Sequence, residues 1–182
     1  MNFDFSDDEK RLFENVRAIA AAAPAEEALA GQSAEAVSQT LHDFLKQLAE
    51  IGYLQLGFGN NAQADAVPLM KAMETLAGQA RSLFLAVEMS TRVLGRAIAH
   101  WATDEQKERW LQGLLAGESI GALALSENTM NVENDPLQTQ GVRKGGRVLV
   151  SGSKNYVVNG PLADRIGVVG MLDGRPAIFM VD

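Results

Sequence analysis

Apolar residues recur at helical spacing through roughly the first 118 positions and at strand spacing after them, and this change of period is the main organising feature of the chain. The first helix is predicted to start at Ser6-Asp7-Asp8-Glu9, a capping box in which the serine accepts an orphan N–H and the glutamate reaches back. Its acidic residues face the positive end of the helix dipole. Leu12, Phe13, Val16, Ile19 and Ala20 then make one apolar face. A second helix over about 34–51 stacks Val37, Leu41, Phe44, Leu45, Leu48 and Ile51, and Gly52 closes it. After a loop to Asn61, a third runs over about 66–78 with Pro68 in its first turn and Leu69, Met70, Met73 and Leu76 facing inward. A fourth, over 82–101, is apolar around much of its circumference and is expected to be the most buried. The fifth has clear ends, with Thr103 and Gln106 as its capping box and Gly117 past its last turn, and carries Trp110, Leu111, Leu114 and Leu115 inward.

Strands are predicted at 120–125, 137–143, 147–151, 155–158, 166–171 and 177–181, with turns at Lys144-Gly145-Gly146-Arg147 and Asp173-Gly174. Helices followed by strands imply an α+β fold with segregated parts: a helical unit over 1–118 and a partial, antiparallel, barrel-like β unit over 119–182. Alternating βαβ units are absent, as is a G-x-G-x-x-G turn, so a dinucleotide-binding sheet is disfavoured. About 60 residues of strand rarely close a barrel. An open apolar edge is a liability, so the β part is expected to need a partner or a further domain.

Composition narrows the chemistry. Of the 182 residues 47% are hydrophobic and 21% charged, enough for a packed core. There is no cysteine, which removes thiol nucleophiles, disulfides and thiolate metal sites. Only His42 and His100 could supply nitrogen ligands, so no metal site is expected. The net charge of −7 and scattered basic residues argue against nucleic acid. An acidic N-terminus and the lack of an apolar run of roughly 18 residues argue against a signal peptide or membrane span and point to a cytoplasmic protein. The pairs Asp7-Asp8 and Glu26-Glu27 read as a helix N-terminal charge and a solvated face, Trp110 and the methionines as core, and His100 as a partner of its helix dipole.

Two stretches carry a more specific signal. Thr103-Asp104-Glu105-Gln106-Lys107-Glu108-Arg109-Trp110-Leu111 is followed by Gly117-Glu118-Ser119-Ile120-Gly121-Ala122-Leu123-Ala124-Leu125-Ser126-Glu127. Further on stand Gly152-x-Lys154 and Asn155-Tyr156-Val157-Val158-Asn159-Gly160. These, at this separation, together with Ile51-Gly52-Tyr53-Leu54-Gln55-Leu56-Gly57, resemble the acyl-CoA dehydrogenase family over essentially the whole chain. The resemblance covers only about half of the family's fold, whose C-terminal four-helix domain provides the glutamate base and much of the acyl pocket.

The resemblance implies an FAD-dependent oxidoreductase that removes the α-proton of an acyl-CoA to a base and passes the β-hydride to flavin N5. No catalytic residue is assigned within these 182 positions. Leu123, Leu125 and Ser126 would meet the flavin's pyrimidine edge, Tyr156, Val157 and Val158 its ring system, and Val132 the substrate. Implied partners are the acyl-CoA, an electron-transfer flavoprotein, and further dehydrogenase chains in a homo- or hetero-oligomer. The sequence also departs from the family: Asn128-Thr129-Met130-Asn131-Val132 replaces a glycine-rich turn, and Tyr156 and Val158 replace a tryptophan and a threonine. The valine side chain, unlike that of threonine, cannot donate a hydrogen bond to flavin N5. Two descriptions of the object follow, a shortened or cleaved dehydrogenase or a natural short subunit of the kind found in pimeloyl-CoA-type enzymes. A competing reading is a non-catalytic assembly subunit that keeps the scaffold and has lost the flavin.

Overall fold

Both capping boxes form. In the computed structural model, which describes residues 4–59, 63, 65–128 and 136–182, helix α1 (Asp7–Ala21) starts with the Glu9 amide donating to Ser6 Oγ at 3.3 Å and the Ser6 amide donating to Glu9 at 2.6 Å. Helix α7 (Asp104–Leu115) repeats the device with Thr103 and Gln106, at 3.3 and 3.0 Å. Between them lie α2 (Glu26–Ala30), α3 (Ala34–Glu50), α4 (Ala66–Gln79), α5 (Arg81–Glu88) and α6 (Arg96–Trp101). Ser33 caps α3 through the Ala36 amide, and Gly52, at φ +80°, follows its end.

Three helical expectations change. The short α2 is a single turn without a strong apolar period, and its Glu26 is no bystander on a solvated face: its carboxylate accepts from the amide and hydroxyl of Ser82, capping the start of α5. Met70 is 70% exposed, because the inner stripe of α4 runs through Pro68, Leu69, Ala72 and Leu76. The expected single helix over 82–101 is interrupted by a π-helical segment, Met89–Gly95, that joins α5 to α6. Ser90 and Thr91 are fully buried there, Thr91 donating to the Val87 carbonyl at 2.9 Å.

Five strands follow: β1 (Gly121–Ala124), β2 (Gln140–Lys144), β3 (Arg147–Ser151), β4 (Arg165–Leu172) and β5 (Arg175–Val181). The fold is α+β as expected, but its sheet is mixed rather than antiparallel. β4 pairs antiparallel with β5 from Ile166 to Leu172, so its other side serves two strands in tandem. β1 runs parallel to it over 165–168 and β2 parallel to it at 171–172. β2 and β3 form an antiparallel hairpin through Gly145 and Gly146 (φ +57° and +75°), and Asp173-Gly174 (φ +51° and +75°) joins β4 to β5. Two positive φ values in succession give the turn twist that a right-handed sheet favours.

One core, containing Val16, Leu41, Leu45, Leu48, Leu76 and Val87, fills the helical layer, and Ile120 at the entry to β1 belongs to it. A smaller one around Leu94, Ile98, Leu111 and Leu114 lies between α6, α7 and the sheet. A buried polar knot ties the turn after α3 to the long helix. The Tyr53 hydroxyl donates to Glu88 at 2.7 Å, and Arg92 donates to the carbonyls of Leu54 and Tyr53, both at 2.8 Å. Burial raises the Glu88 carboxyl above its ordinary value, against the opposing pull of Arg92 and the tyrosine hydroxyl. The hairpin β2–β3 is uncovered by comparison, with Val142 and Leu149 60% and 54% exposed.

Two substitutions test how the helical layer hands over to the sheet. Thr103→Ala removes a cap and should lower stability by about 0.5 to 2 kcal/mol in urea unfolding. Gly117 sits at φ +70°, where a Cβ would lie 2.6 Å from the Leu45 carbonyl oxygen. Gly117→Ala should therefore cost more than the roughly 1–2 kcal/mol of a left-handed residue alone. A loss no larger than that of Thr103→Ala would show that α3 yields easily at this contact.

Candidate functional site

β1 alternates small and large residues, and the alternation decides what each face can do. Ala122 and Ala124 are buried, while Leu123 is half-buried and Leu125 is 39% exposed. Small residues on one face of β1 let the strand pack closely, and the two leucines on the other line a groove of about 790 Å³. Ile98, Trp110, Val169 and Ile178 form its other walls. The Trp110 indole N–H, buried at this site, has no hydrogen-bond partner among the described residues.

Beyond β1 the chain is held by residues 152–160, which were expected to contain a strand at 155–158. No strand forms there. Tyr156 and Asn159 adopt φ of +56° and +65°, left-handed conformations that break a pleat. The segment instead docks point by point: the Asn155 amide donates to the Ser126 carbonyl at 2.9 Å and the Asn155 side chain to Asn128 at 2.8 Å. Lys154 Nζ donates to the Leu125 carbonyl at 2.9 Å and to Glu127 at 2.7 Å.

Glu127 gathers the strongest set of bonds in this region. Besides Lys154, it accepts from the Gln138 amide at 2.6 Å, the Thr139 amide at 3.0 Å and the Thr139 hydroxyl at 2.7 Å. Burial opposes its charge, but the bonds from Lys154, Thr139 and Gln138 outweigh that and hold the carboxyl at about 2. The same bonds explain why β2 begins at Gln140 and not at Leu137. The amides of residues 138 and 139 are committed to a side chain and cannot enter a ladder.

Of the residues singled out from the sequence, Leu123, Leu125 and Ser126 fall on one stretch, and Tyr156, Val157 and Val158 on the segment bonded to it. Ser126 is half-buried, and among the described residues its hydroxyl makes no hydrogen bond. Tyr156 is 80% exposed, turned outward by its left-handed backbone and not presented from a pleat. Val157 and Val158 are half-buried, and Val132 lies outside the described residues. Glu127, Lys154, Asn155 and Asn159, which do the holding, lie within the motifs that carry the family resemblance, which by itself assigns them no holding role. The signal was present: an acid and a base of opposite sign close the two motifs. A second, more open groove of about 1110 Å³ runs beside α4 and α6, with Phe58, Met73, Arg92, Arg96 and His100 among its walls. Among the described residues no group of three or more His, Asp or Glu side chains gathers as a metal site, and no helix is long and apolar enough to cross a membrane.

Comparison with known proteins adds a family to this geometry. Residues 6–118 match the family described as acyl-CoA dehydrogenase, N-terminal domain. The short-chain-specific acyl-CoA dehydrogenase of Clostridium acetobutylicum is 27% identical over 132 residues, covering 71% of this chain and 35% of that protein. This chain thus spans about a third of the length of that relative. Among solved structures, glutaryl-CoA dehydrogenase from Mycobacterium smegmatis superposes with a TM-score of 0.78 at 22% identity, covering 97% of this chain and 46% of that one. A glutaryl-CoA dehydrogenase from Mycobacterium smegmatis in complex with FADH2 superposes with a TM-score of 0.73 at 22% identity, covering 97% of this chain and 46% of that one. A chain from the structure of the electron transferring flavoprotein of Acidaminococcus fermentans also gives 0.78, at 21% identity, with all of this chain and 49% of that one covered. At these identities the structures establish a shared fold, and the match over residues 6–118 establishes that this chain belongs to the acyl-CoA dehydrogenase family.

Proposed function

We propose that this chain supplies the flavin-positioning part of an FAD-dependent acyl-CoA α,β-dehydrogenase, with residues 1–118 as its helical domain and 119–182 as part of its flavin-binding β domain. The observation that carries the reading is the docking of Lys154 and Asn155 on residues 125–128. It brings the Ser126 hydroxyl, which makes no hydrogen bond among the described residues, and the exposed Tyr156 ring each within one residue of the Asn155–Ser126 backbone bond, with the apolar Leu125 next to Ser126 in sequence. A flat heterocycle with a polar edge suits that donor set. Ser126 would meet the polar edge, Tyr156 would stack, Leu123 and Leu125 would pack on the apolar rim, and Val157 and Val158 would close the side without donating. When bound, FAD supplies hydride acceptance at N5, and the chain's own residues fix where the flavin lies.

The base lies elsewhere. The two buried carboxylates of the described residues are both engaged, Glu88 by Tyr53 and Arg92, and Glu127 by Lys154 and Thr139. A carboxyl held at about 2 is a poor proton acceptor from an acyl α-carbon. The catalytic glutamate would then come from additional protein, a longer chain or a related subunit in a cytoplasmic oligomer, which would also complete the acyl-CoA site to which Val132 contributes and the contacts to an electron-transfer flavoprotein. A second reading, an assembly subunit that has lost the flavin, is favoured by Val158, which offers no hydrogen bond where the family has a threonine.

The purified chain reconstituted with FAD and then desalted should stay yellow and release FAD on denaturation, yet show no turnover of any acyl-CoA with an artificial electron acceptor. Colourless protein after reconstitution would favour the assembly subunit instead, and turnover would place the base within these residues. Acid titration gives a further check. The Glu127 carboxyl lies at about 2 in the folded chain against an ordinary 4.5, so its stabilising contribution is complete above about pH 4.5 and lost as pH falls toward 2. Glu127→Gln should be less stable than the parent at pH 7, with the difference narrowing below pH 4. A constant difference across that range would mean Glu127 is not the titrating group.

A further inference from the structure

Asn159 is 7% exposed and sits where three elements meet. Its Nδ2 donates to the Ala86 carbonyl of α5 at 2.8 Å and to the Gly121 carbonyl of β1 at 3.0 Å, while its own backbone belongs to the segment that docks on Ser126. Both hydrogens of one amide are thus used to join a helix and a strand to a loop. Its backbone contributes as well, at φ +65°, a conformation that asparagine tolerates better than most residues with a side chain. Three residues back, Tyr156 is at φ +56°, and an exposed tyrosine persists in such a conformation only when its surroundings impose it.

Gly121 is the matching half of the junction. The Ser90 hydroxyl, from the π segment, accepts the Gly121 amide at 2.8 Å, so both backbone polar groups of this residue are taken by side chains from other elements. A Cβ there would lie 2.8 Å from Leu94 and 3.2 Å from Ser90 Oγ, so no larger residue fits between strand and helix. The Ala86 carbonyl is a helical acceptor that Asn159 reaches from outside the helix. Without Nδ2, Ala86 and Gly121 would present buried oxygens to each other with one donor fewer.

We infer that Asn159 is a positioning residue whose side-chain amide locks residues 152–160 against β1 and α5, and so presets the spacing between Ser126 and Tyr156. The locking stands on geometry alone. Its consequence for the cofactor rests on the flavin reading above. The amide does this work, not merely the left-handed turn: glycine would satisfy the backbone at φ +65° and still leave the three elements unjoined.

The test uses the full chain and two readouts, peptide-level hydrogen exchange and FAD affinity by titration. Asn159→Gly keeps the backbone conformation and removes the amide, Asn159→Ala removes both, and Thr103→Ala is a destabilised control whose lesion lies on α7. Both Asn159 variants should speed exchange of peptides covering 121–128 and 152–160 by about tenfold or more, leave α7 peptides unchanged, and weaken FAD binding by a similar factor, none of which Thr103→Ala should do. If Asn159→Gly does not fold, Asn159→Asp, which keeps the size and the turn preference but donates nothing, takes its place. Wild-type exchange and affinity in Asn159→Gly would overturn the inference and reduce Asn159 to a turn residue, as would equal losses in Thr103→Ala. If the parent chain binds no FAD while exchange still rises in both segments, the flavin reading falls and the lock stands.

Discussion

A carboxylate that has left bulk water must find its hydrogen-bond donors inside the protein, and Glu127 meets this constraint with four: the Lys154 ammonium, two consecutive amides and one hydroxyl. Each donor comes from a part of the chain that would otherwise be free to move. The bonds to Gln138 and Thr139 fix the approach to β2, and the bond to Lys154 fixes the segment leading to Tyr156. The sheet then inherits its registers from these anchors. The Thr139 carbonyl accepts the Met171 amide, which sets where β2 joins β4. The surface on which the proposed flavin would rest is thus organised by a charge to which that proposal gives no part in the chemistry.

The helical layer contributes a rigid back wall. Ile120 is packed in the helical core one residue before β1 begins, and the Ser90 hydroxyl meets the first amide of the strand. The π segment lies at this contact, and the widened turn brings Ser90 and Leu94 together against Gly121. Asp164 extends the same joint, accepting the Ile120 amide at 2.7 Å and standing 3.3 Å from His42 on α3. Helix and sheet are therefore joined through backbone groups of residues 120 and 121, which allow little adjustment by side-chain repacking.

Much of this was legible in the sequence, and the gaps have physical causes. The capping boxes at Ser6 and Thr103 were readable because both partners lie three residues apart and the geometry is local. The hairpin turns were readable because Gly-Gly and Asp-Gly pairs favour positive φ at both positions. Residues 155–158 misled because their composition suits a strand, while the bonds that hold Tyr156 and Asn159 off the pleat come from Ser126, Ala86 and Gly121, all distant in sequence. The parallel pairing of β1 with β4 was hidden for the same reason, since more than 40 residues separate partners such as Gly121 and Arg165. Ser126 was recognisable only through its motif, and Glu26 was missed because its role depends on Ser82, on another helix.

The chain has two tryptophans, and the fold gives them different surroundings at the same groove. Trp101 ends α6 with 71% of its surface in solvent, while Trp110 is half-buried on α7 with its indole nitrogen shielded and, among the described residues, unpaired. Indole emission depends on the polarity and mobility of what surrounds the ring. The molecule thus carries two native optical reporters on one wall, one tuned to water and one to the protein interior. Filling of the groove, by a cofactor or by another protein surface, would be written in the colour of the chain's own light.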